Sequence, residues 1–214
     1  MRVNFQGLYA IADTSLIPEE MLVEKVALAL YGGACLVQYR DKGTDPGHRE
    51  WQAVDLLHLC NSFKVPLLIN DDVELAAKIG AAGVHLGQND MPVAHARALL
   101  GPSALIGVSC HDDLSLALQA ERDGASYVAF GRFFPSHTKP FAIQANPDLL
   151  TDAKKYLQVP LAAIGGITPD NAKILLAAGA DLLAVIHGLF AQGNVRAAAS
   201  QFSRLFIERD SYHG

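Results

Sequence analysis

Short apolar runs recur along the chain, and each is followed by a longer segment whose apolar positions repeat at helical spacing. The first run is LYAIAD (Leu8 to Asp13), followed by EMLVEKVALALYGG, whose closing Gly pair reads as a helix stop. The alternation returns as CLVQYR with HREWQAVDLLHLCNSF, PLLIND with DVELAAKIG, GVHLGQ with PVAHARALLG, and LIGVSC with DLSLALQAERDG. It continues as YVAFG with NPDLLTDAKKYL, PLAAIGG with TPDNAKILLAAG, and LLAVIH with NVRAAASQFSRLF. Strands that are apolar on nearly every residue are expected where both faces of a sheet are covered, which is the condition of parallel sheets in α/β proteins. Eight such units with short connections predict a single closed (β/α)8 TIM barrel over residues 1–214, near the lower size limit of that architecture, with little length left for a second domain. An open doubly wound sheet would carry a Gly-rich dinucleotide turn after its first strand, and IADTSLIPEE stands there instead.

Composition narrows the class of function. Of 214 residues 50% are apolar and 18% charged, so the chain can bury a substantial core and is not disordered. No apolar run reaches the roughly 18 residues a spanning helix needs, and the first residues show no signal-peptide pattern, so a cytoplasmic protein with no membrane role is expected. A net charge of −5 without a basic run argues against nucleic acid as a partner. An anionic small molecule then requires Lys, Arg, metal or backbone N–H groups concentrated at one place against the overall sign. Cys35, Cys60 and Cys110 have no metal-binding spacing and read as buried thiols. No histidine pattern supports zinc: His48, His58, His85, His95 and His213 read as structural, while His111, His137 and His187 fall at strand ends and stay open.

In a barrel of this kind the carboxyl ends of the strands converge on one face, where catalytic groups are placed. Read in order, those ends offer Asp13; Gln38, Arg40 and Lys42; Asn70 and Asp71; Gln88 and Asp90; Ser109; Ser136, Thr138 and Lys139; Gly165 and Gly166; and His187. An Arg fork beside a Lys point charge suits a diphosphate, although each could also be a solvated loop charge. Asp71 and Asp90 end neighbouring strands and could face one cation, since Mg2+ takes one or two protein carboxylates together with waters and phosphate oxygens. Asp72 reads better as a helix cap, and Asp90 could serve either purpose. The loop GRFFPSHTKPF offers hydroxyls, an imidazole and an ammonium between two prolines, a composition suited to gripping phosphate. The Gly pair of AIGGIT can expose backbone N–H groups at a helix start, with Thr168 or Asp170 near it, or can simply form a tight turn.

The segments QYRDK, INDD, GVHLGQND, GVSCH, FPSHTKP and AIGGI follow one another in an order that resembles the thiamine phosphate synthase family over essentially the whole chain. The resemblance implies a transferase that joins hydroxymethylpyrimidine diphosphate to a thiazole phosphate, releasing pyrophosphate and giving thiamine phosphate. It implies that Gln38, Arg40, Lys42, Asn70, Ser109 and Lys139 bind the pyrimidine diphosphate and that Asp71 and Asp90 bind Mg2+. Ser136, Thr138, Gly166 and the Ile186-His187 segment are implied to hold the thiazole phosphate. The implied chemistry is dissociative: diphosphate leaves, and the thiazole nitrogen attacks a pyrimidine-stabilised cation. Arg40, Lys42 and Lys139 would stabilise the leaving group, which accounts for strand-end charges without a nucleophile-base pair.

Four positions depart from the family pattern. Tyr39 and Asp41 replace Leu and Glu, Ser136 replaces Thr while keeping a hydroxyl, and His187 stands where a Ser commonly contacts the thiazole phosphate. Protonated His137 and His187 could add positive charge there. Two alternatives stay open: a thiazole tautomerase-like isomerase of the same superfamily, which would not be expected to keep Arg40, Lys42, Asp71 and Asp90 together, and a non-catalytic thiamine phosphate binding barrel. The sequence leaves the oligomeric state open, and a homo-oligomer is compatible with it.

Overall fold

The computed structural model describes residues 5–136 and 143–211 and closes eight parallel strands into a barrel in chain order. The strands are β1 (Gly7–Asp13), β2 (Ala34–Arg40), β3 (Leu67–Asn70), β4 (Gly83–Leu86), β5 (Leu105–Ser109), β6 (Tyr127–Phe130), β7 (Leu161–Ile164) and β8 (Leu182–Val185). Between and after them run α1 (Leu22–Tyr31), α2 (Pro46–Ser62), α3 (Val73–Ile79), α4 (Val93–Leu100), α5 (Leu114–Arg122), α6 (Asp148–Tyr156), α7 (Ala172–Ala177), α8 (His187–Phe190) and α9 (Val195–Ser211). Closure comes from β1 pairing with β8, with Gly7 opposite Leu182 and Ala10 opposite Val185. The expected single (β/α)8 TIM barrel is therefore found. Among the described residues no helix is long and apolar enough to cross a membrane.

Strand periodicity divides the apolar residues into two shells. On β1, Leu8, Ala10 and Ala12 point outward into the core shared with the helices, while Tyr9 and Ile11 point into the barrel. Likewise Val37 and Tyr39 of β2 face the helices, and Leu36 faces inward. The outer shell is large and made mostly of Leu, Val, Ile and Ala; the inner one is small and carries Tyr9, Tyr127 and Ala at several strands. Gly107 on β5 makes room for this inner layer, because a Cβ there would lie 2.0 Å from Cζ of Tyr127. Cys60 and Cys110 are buried and Cys35 partly so, and burial pushes all three thiols up to about 12. They behave as the packing residues the sequence suggested.

The starts of α3 and α4 settle the capping readings of Asp72 and Asp90. Asp72 precedes α3 and accepts the Leu75 N–H at 2.9 Å, so it is a helix cap. Asp90 does not cap α4: Pro92 holds that position, and Asp90 Oδ2 accepts the Gly87 N–H at 2.7 Å instead. Tyr39, one of the departures in the second-strand segment, reaches out to Gln52 of α2, whose Oε1 accepts its hydroxyl at 2.7 Å. Asp41, the other, accepts a hydrogen bond from Thr14 at 2.5 Å. Tyr39 thus looks away from the barrel interior, while Asp41 lines an open hollow at the mouth with Lys42 and Asp71; Gln38 and Arg40 line the cavity.

The Gly165-Gly166 pair makes a tight turn ahead of α7, one of the two readings its spacing leaves open. The helix is counted from Ala172, but the Ala172 N–H already donates to the Thr168 carbonyl at 3.0 Å, so Thr168 and Asp170 do stand near its start. Asn171 ties the loop to itself, donating from Nδ2 to the Gly166 carbonyl at 3.0 Å and accepting the Thr168 N–H at 2.9 Å. The short helix α8, directly after β8, is an element the periodicity did not separate from α9. Four residues bury too few apolar positions to show a period.

Candidate active site

The mouth of the barrel holds a cavity of about 150 Å³, lined among others by Gln38, Arg40, Asn70, Ser109, Ser136, Gly166, Ile186 and His187. Eight of the expected site residues are therefore brought together from β2, β3, β5 and the loops after β6, β7 and β8. Lys42 and Asp71 do not line this cavity; they line a more open hollow beside it, and Asn70 belongs to both. Thr138 and Lys139, with His137, lie outside the described residues.

One side of the mouth is ionic. Arg40 donates from Nη1 to Asp13 Oδ2 at 2.5 Å, and Asp13 is itself buried, with Oδ1 accepting from the Ser15 N–H at 3.0 Å and the Ser15 hydroxyl at 2.6 Å. Asp13 thus fixes the guanidinium on the cavity wall, a role that spacing did not reveal. Lys42 donates to Asp71, and Asn70 donates from Nδ2 to the same Asp71 oxygen at 2.7 Å. Asp71 has φ 62, a left-handed conformation that Asp tolerates better than most residues at a cost of about 1 kcal/mol. The chain therefore turns sharply at the point where that carboxylate is presented.

The carboxyls of Asp71 and Asp90 stand within hydrogen-bonding reach of each other. Burial works to raise the Asp71 pKa, but hydrogen bonds with Lys42 and Asp90 outweigh it, and the group ends below the ordinary carboxylate range. Asp90 ends above that range, raised first by burial and then by the Asp71 carboxylate against the opposing Gly87 N–H. Two carboxyls this close, one charged and one reluctant to charge, form a pair to which a divalent cation is the natural complement. Among the described residues no group of three or more His, Cys, Asp or Glu could hold a metal ion. A two-carboxylate site fits Mg2+, which completes its shell with water and substrate oxygens, and does not fit structural zinc.

The other side of the mouth is built from backbone. Gly165 has φ 104 and Gly166 φ 64; a Cβ on Gly166 would lie 2.2 Å from the Pro135 carbonyl oxygen, so the loops after β6 and β7 meet there at a spacing only Gly allows. Gly188, at the start of α8, is held against the Ile167 carbonyl in the same way. Arg132, His111 and His187 add polar side chains to this wall. Arg132 is not singled out by the pattern along the chain, because one Arg in a loop carries no spacing signal.

A third group lies at the cavity floor. Gln38 Nε2 donates to the Tyr9 hydroxyl at 2.5 Å, Tyr9 and Tyr127 hydroxyls are 2.8 Å apart, the Tyr127 hydroxyl is 2.8 Å from Nδ1 of His85, and His85 Nε2 is 2.9 Å from Ser109 Oγ. His85 is therefore hydrogen-bonded within the barrel, as its place inside a strand suggested. Gln88 closes the rim by donating from Nε2 to the Ser109 carbonyl at 2.6 Å.

Residues 8–189 match the family model described as thiamine monophosphate synthase. A thiamine-phosphate synthase of Nitrosococcus oceani is 52% identical over 206 residues, covering 96% of this chain and 95% of that protein. One of Marinobacter nauticus is 55% identical over 202 residues, covering 94% and 90%. Among solved structures, thiamine phosphate pyrophosphorylase from Pyrococcus furiosus superposes with a TM-score of 0.86 at 34% identity, covering 96% of this chain and 97% of that one. The chain belongs to the thiamine monophosphate synthase family.

Proposed function

We propose that this chain, as one catalytic domain over residues 1–214, joins hydroxymethylpyrimidine diphosphate to hydroxyethylthiazole phosphate, giving thiamine phosphate and pyrophosphate. The observation that carries this reading is the adjacency of Arg40, Lys42 and the Asp71-Asp90 pair on one side of a cavity whose opposite wall is the glycine-built loop. A tautomerase has no use for that ionic half.

In this reading Gln38, Asn70 and Ser109 hold the pyrimidine ring, and Arg40, Lys42 and Lys139 hold its diphosphate. Asp71 and Asp90 would hold Mg2+, which supplies positive charge against the negative charge gathering on the departing diphosphate. Arg40 is kept in place for the same task by Asp13. Lys42, which pairs with Asp71, is exposed enough to swing to a phosphate oxygen. Ser136, Thr138, Gly166 and the Ile186-His187 backbone hold the thiazole phosphate across the cavity. The two rings are thereby kept face to face with water excluded, so that the thiazole nitrogen meets the pyrimidine cation as the C–O bond to the diphosphate breaks. No residue needs to act as general base.

Purified protein mixed with both substrates and Mg2+ should release pyrophosphate and form thiamine phosphate. Asp71→Asn should lower the rate by roughly 10²–10³-fold, the scale of losing one preorganised charge-stabilising group, and a chelator should stop the wild type. The reading fails if the wild type releases no pyrophosphate, or if neither the variant nor the chelator changes the rate. Binding of thiamine phosphate without turnover would identify a non-catalytic barrel instead.

A further inference from the structure

The hydrogen bonds at the cavity floor form one unbroken path across the barrel, from Gln38 on β2 through Tyr9 and Tyr127 to His85 and Ser109 on β5. Its polarity follows from the donor and acceptor capacity of each member. The Gln38 amide nitrogen can only donate, so Tyr9 Oη accepts from it and turns its own proton toward Tyr127. Tyr127 then turns its proton toward Nδ1 of His85, which must be the bare nitrogen. Nε2 carries the ring proton and donates to Ser109 Oγ, whose own O–H is left to point elsewhere. Burial raises the pKa of both phenols, so both keep their protons and pass the direction on.

Gln38 and Ser109 line the cavity at the two ends of this path. With one amide N–H committed to Tyr9, Gln38 has its orientation fixed and offers the cavity Oε1, an acceptor, with its second N–H beside it; with its oxygen receiving from His85, Ser109 offers a donor. Reversing the path would reverse both ends together: Tyr9 could donate only to Oε1, so the amide would flip and offer N–H, while Ser109 would offer a lone pair. Neither end can change alone without leaving a buried polar group unpaired.

We propose that Tyr9, Tyr127 and His85 are positioning residues that hold Gln38 as an acceptor and Ser109 as a donor, so that the cavity selects an amino-substituted pyrimidine over its oxo counterpart. This deepens the reading above, since it takes the pyrimidine diphosphate as the ligand of that cavity. An aminopyrimidine carries N–H donors on one edge and a bare ring nitrogen on another, which matches an acceptor facing a donor. Replacing the amino group by oxygen turns that edge into an acceptor and places two acceptors, Gln38 Oε1 and the ligand oxygen, against each other.

The path makes the two phenols separable. Tyr127→Phe removes the link to Nδ1 and frees the whole path; Tyr9→Phe frees Gln38 but leaves Tyr127 donating to His85. Both substitutions keep the ring, so packing against the inner shell is retained. The test is nitrogen NMR of the His85 imidazole together with calorimetric binding of the aminopyrimidine diphosphate and its 4-oxo counterpart, each with Mg2+. The wild type should show a proton on Nε2 and none on Nδ1, a pattern kept in Tyr9→Phe and lost in Tyr127→Phe. The amino-over-oxo affinity ratio should fall about tenfold in both variants, and KM for the pyrimidine substrate should rise while KM for the thiazole phosphate stays unchanged.

A wild-type proton on Nδ1, an unchanged ratio in both variants, or an equal loss of both probes, as a purely structural role would give, overturns the proposal. If either variant fails to fold, the imidazole pattern and amino-over-oxo ratio of the other still decide. If the wild type binds both probes selectively but releases no pyrophosphate, the proposed activity falls while the selection of the amino group stands.

Discussion

The two walls of the cavity hold their chemistry by different means. On the β1–β4 side, Asp13, Arg40, Lys42, Asp71 and Asp90 are side chains paired with one another, Asp13 with Arg40, Lys42 with Asp71 and Asp71 with Asp90. On the β6–β8 side, the site is a surface of main chain, where Gly165, Gly166 and Gly188 let loops approach to distances no side chain permits. The ionic wall can adjust: a Lys can leave a carboxylate for a phosphate oxygen, and two carboxyls can accept a cation between them. The main-chain wall is held by close packing at Gly165, Gly166 and Gly188. That division suits a reaction in which one partner loses a charged group while the other must wait in place.

The sharpest way to break this comparison is to put a side chain on the main-chain wall. Gly166→Ala places a methyl 2.2 Å from the Pro135 carbonyl oxygen at φ 64, so either the loop after β6 or the one after β7 must move. Overpacking of this kind costs about 1–3 kcal/mol, and the left-handed backbone adds about 1 kcal/mol more. KM for the thiazole phosphate should rise by roughly 100-fold, since in the proposed function the displaced groups hold only that ligand. KM for the pyrimidine diphosphate should change less than about twofold. Steady-state kinetics with each substrate varied in turn gives both numbers, and an equal rise in the two would mean the walls are not separate devices.

A smaller effect is expected on the ionic wall. Asp13→Asn keeps the acceptor that serves Ser15 but turns an amide N–H toward the Arg40 guanidinium, replacing an attraction by two facing donors. Arg40 is partly exposed, so water screens the loss, and about 1–2 kcal/mol of stability is expected to go rather than the 3–5 kcal/mol of a fully buried pair. KM for the pyrimidine diphosphate should rise about tenfold with the thiazole phosphate unaffected. A variant whose thiazole phosphate KM rises in step would show that Asp13 supports the barrel mouth as a whole.

The same division governs what could be read from the sequence. The barrel was legible because buried parallel strands leave runs such as PLLI and YVAF that few other contexts produce. The ionic wall was largely legible too, since charged residues at the ends of apolar runs stand out against them. Asp13 was visible as a strand end, yet its link to Arg40 depends on the register of β1 against β2, which places the two residues opposite each other. The main-chain wall was legible only through its glycines. Their spacing leaves a helix start and a tight turn both open, because what decides between them, the Thr168 and Asn171 hydrogen bonds just ahead of α7, leaves no mark in TPDNAKILLAAG. The path from Tyr9 to His85 left almost no trace, because inward Tyr and His residues in strands look like ordinary packing until their partners are known.

The smallest expected effect separates the two members of the carboxyl pair by pH. Asp90, with its pKa raised above 3.8, holds a proton more tightly folded than unfolded; it favours the folded state at low pH, and that contribution is lost as pH rises through its folded value. Asp71, lowered below 3.8, has the opposite sign: its contribution is present above the unfolded value and lost as pH falls through the folded one. On acidification Asp90 therefore takes its proton first, while Asp71 is still charged, and the two stability effects partly cancel. Cation binding feels no such cancellation, because it needs both charges. The Mg2+ concentration for half-maximal pyrophosphate release should rise on acidification with a single-proton slope, beginning above the ordinary carboxylate range. Lys42→Met removes an ammonium that works to lower both pKa values, so the midpoint should move to higher pH. A midpoint that stays at the ordinary carboxylate value in both proteins would mean that Asp71 and Asp90 do not share one cation.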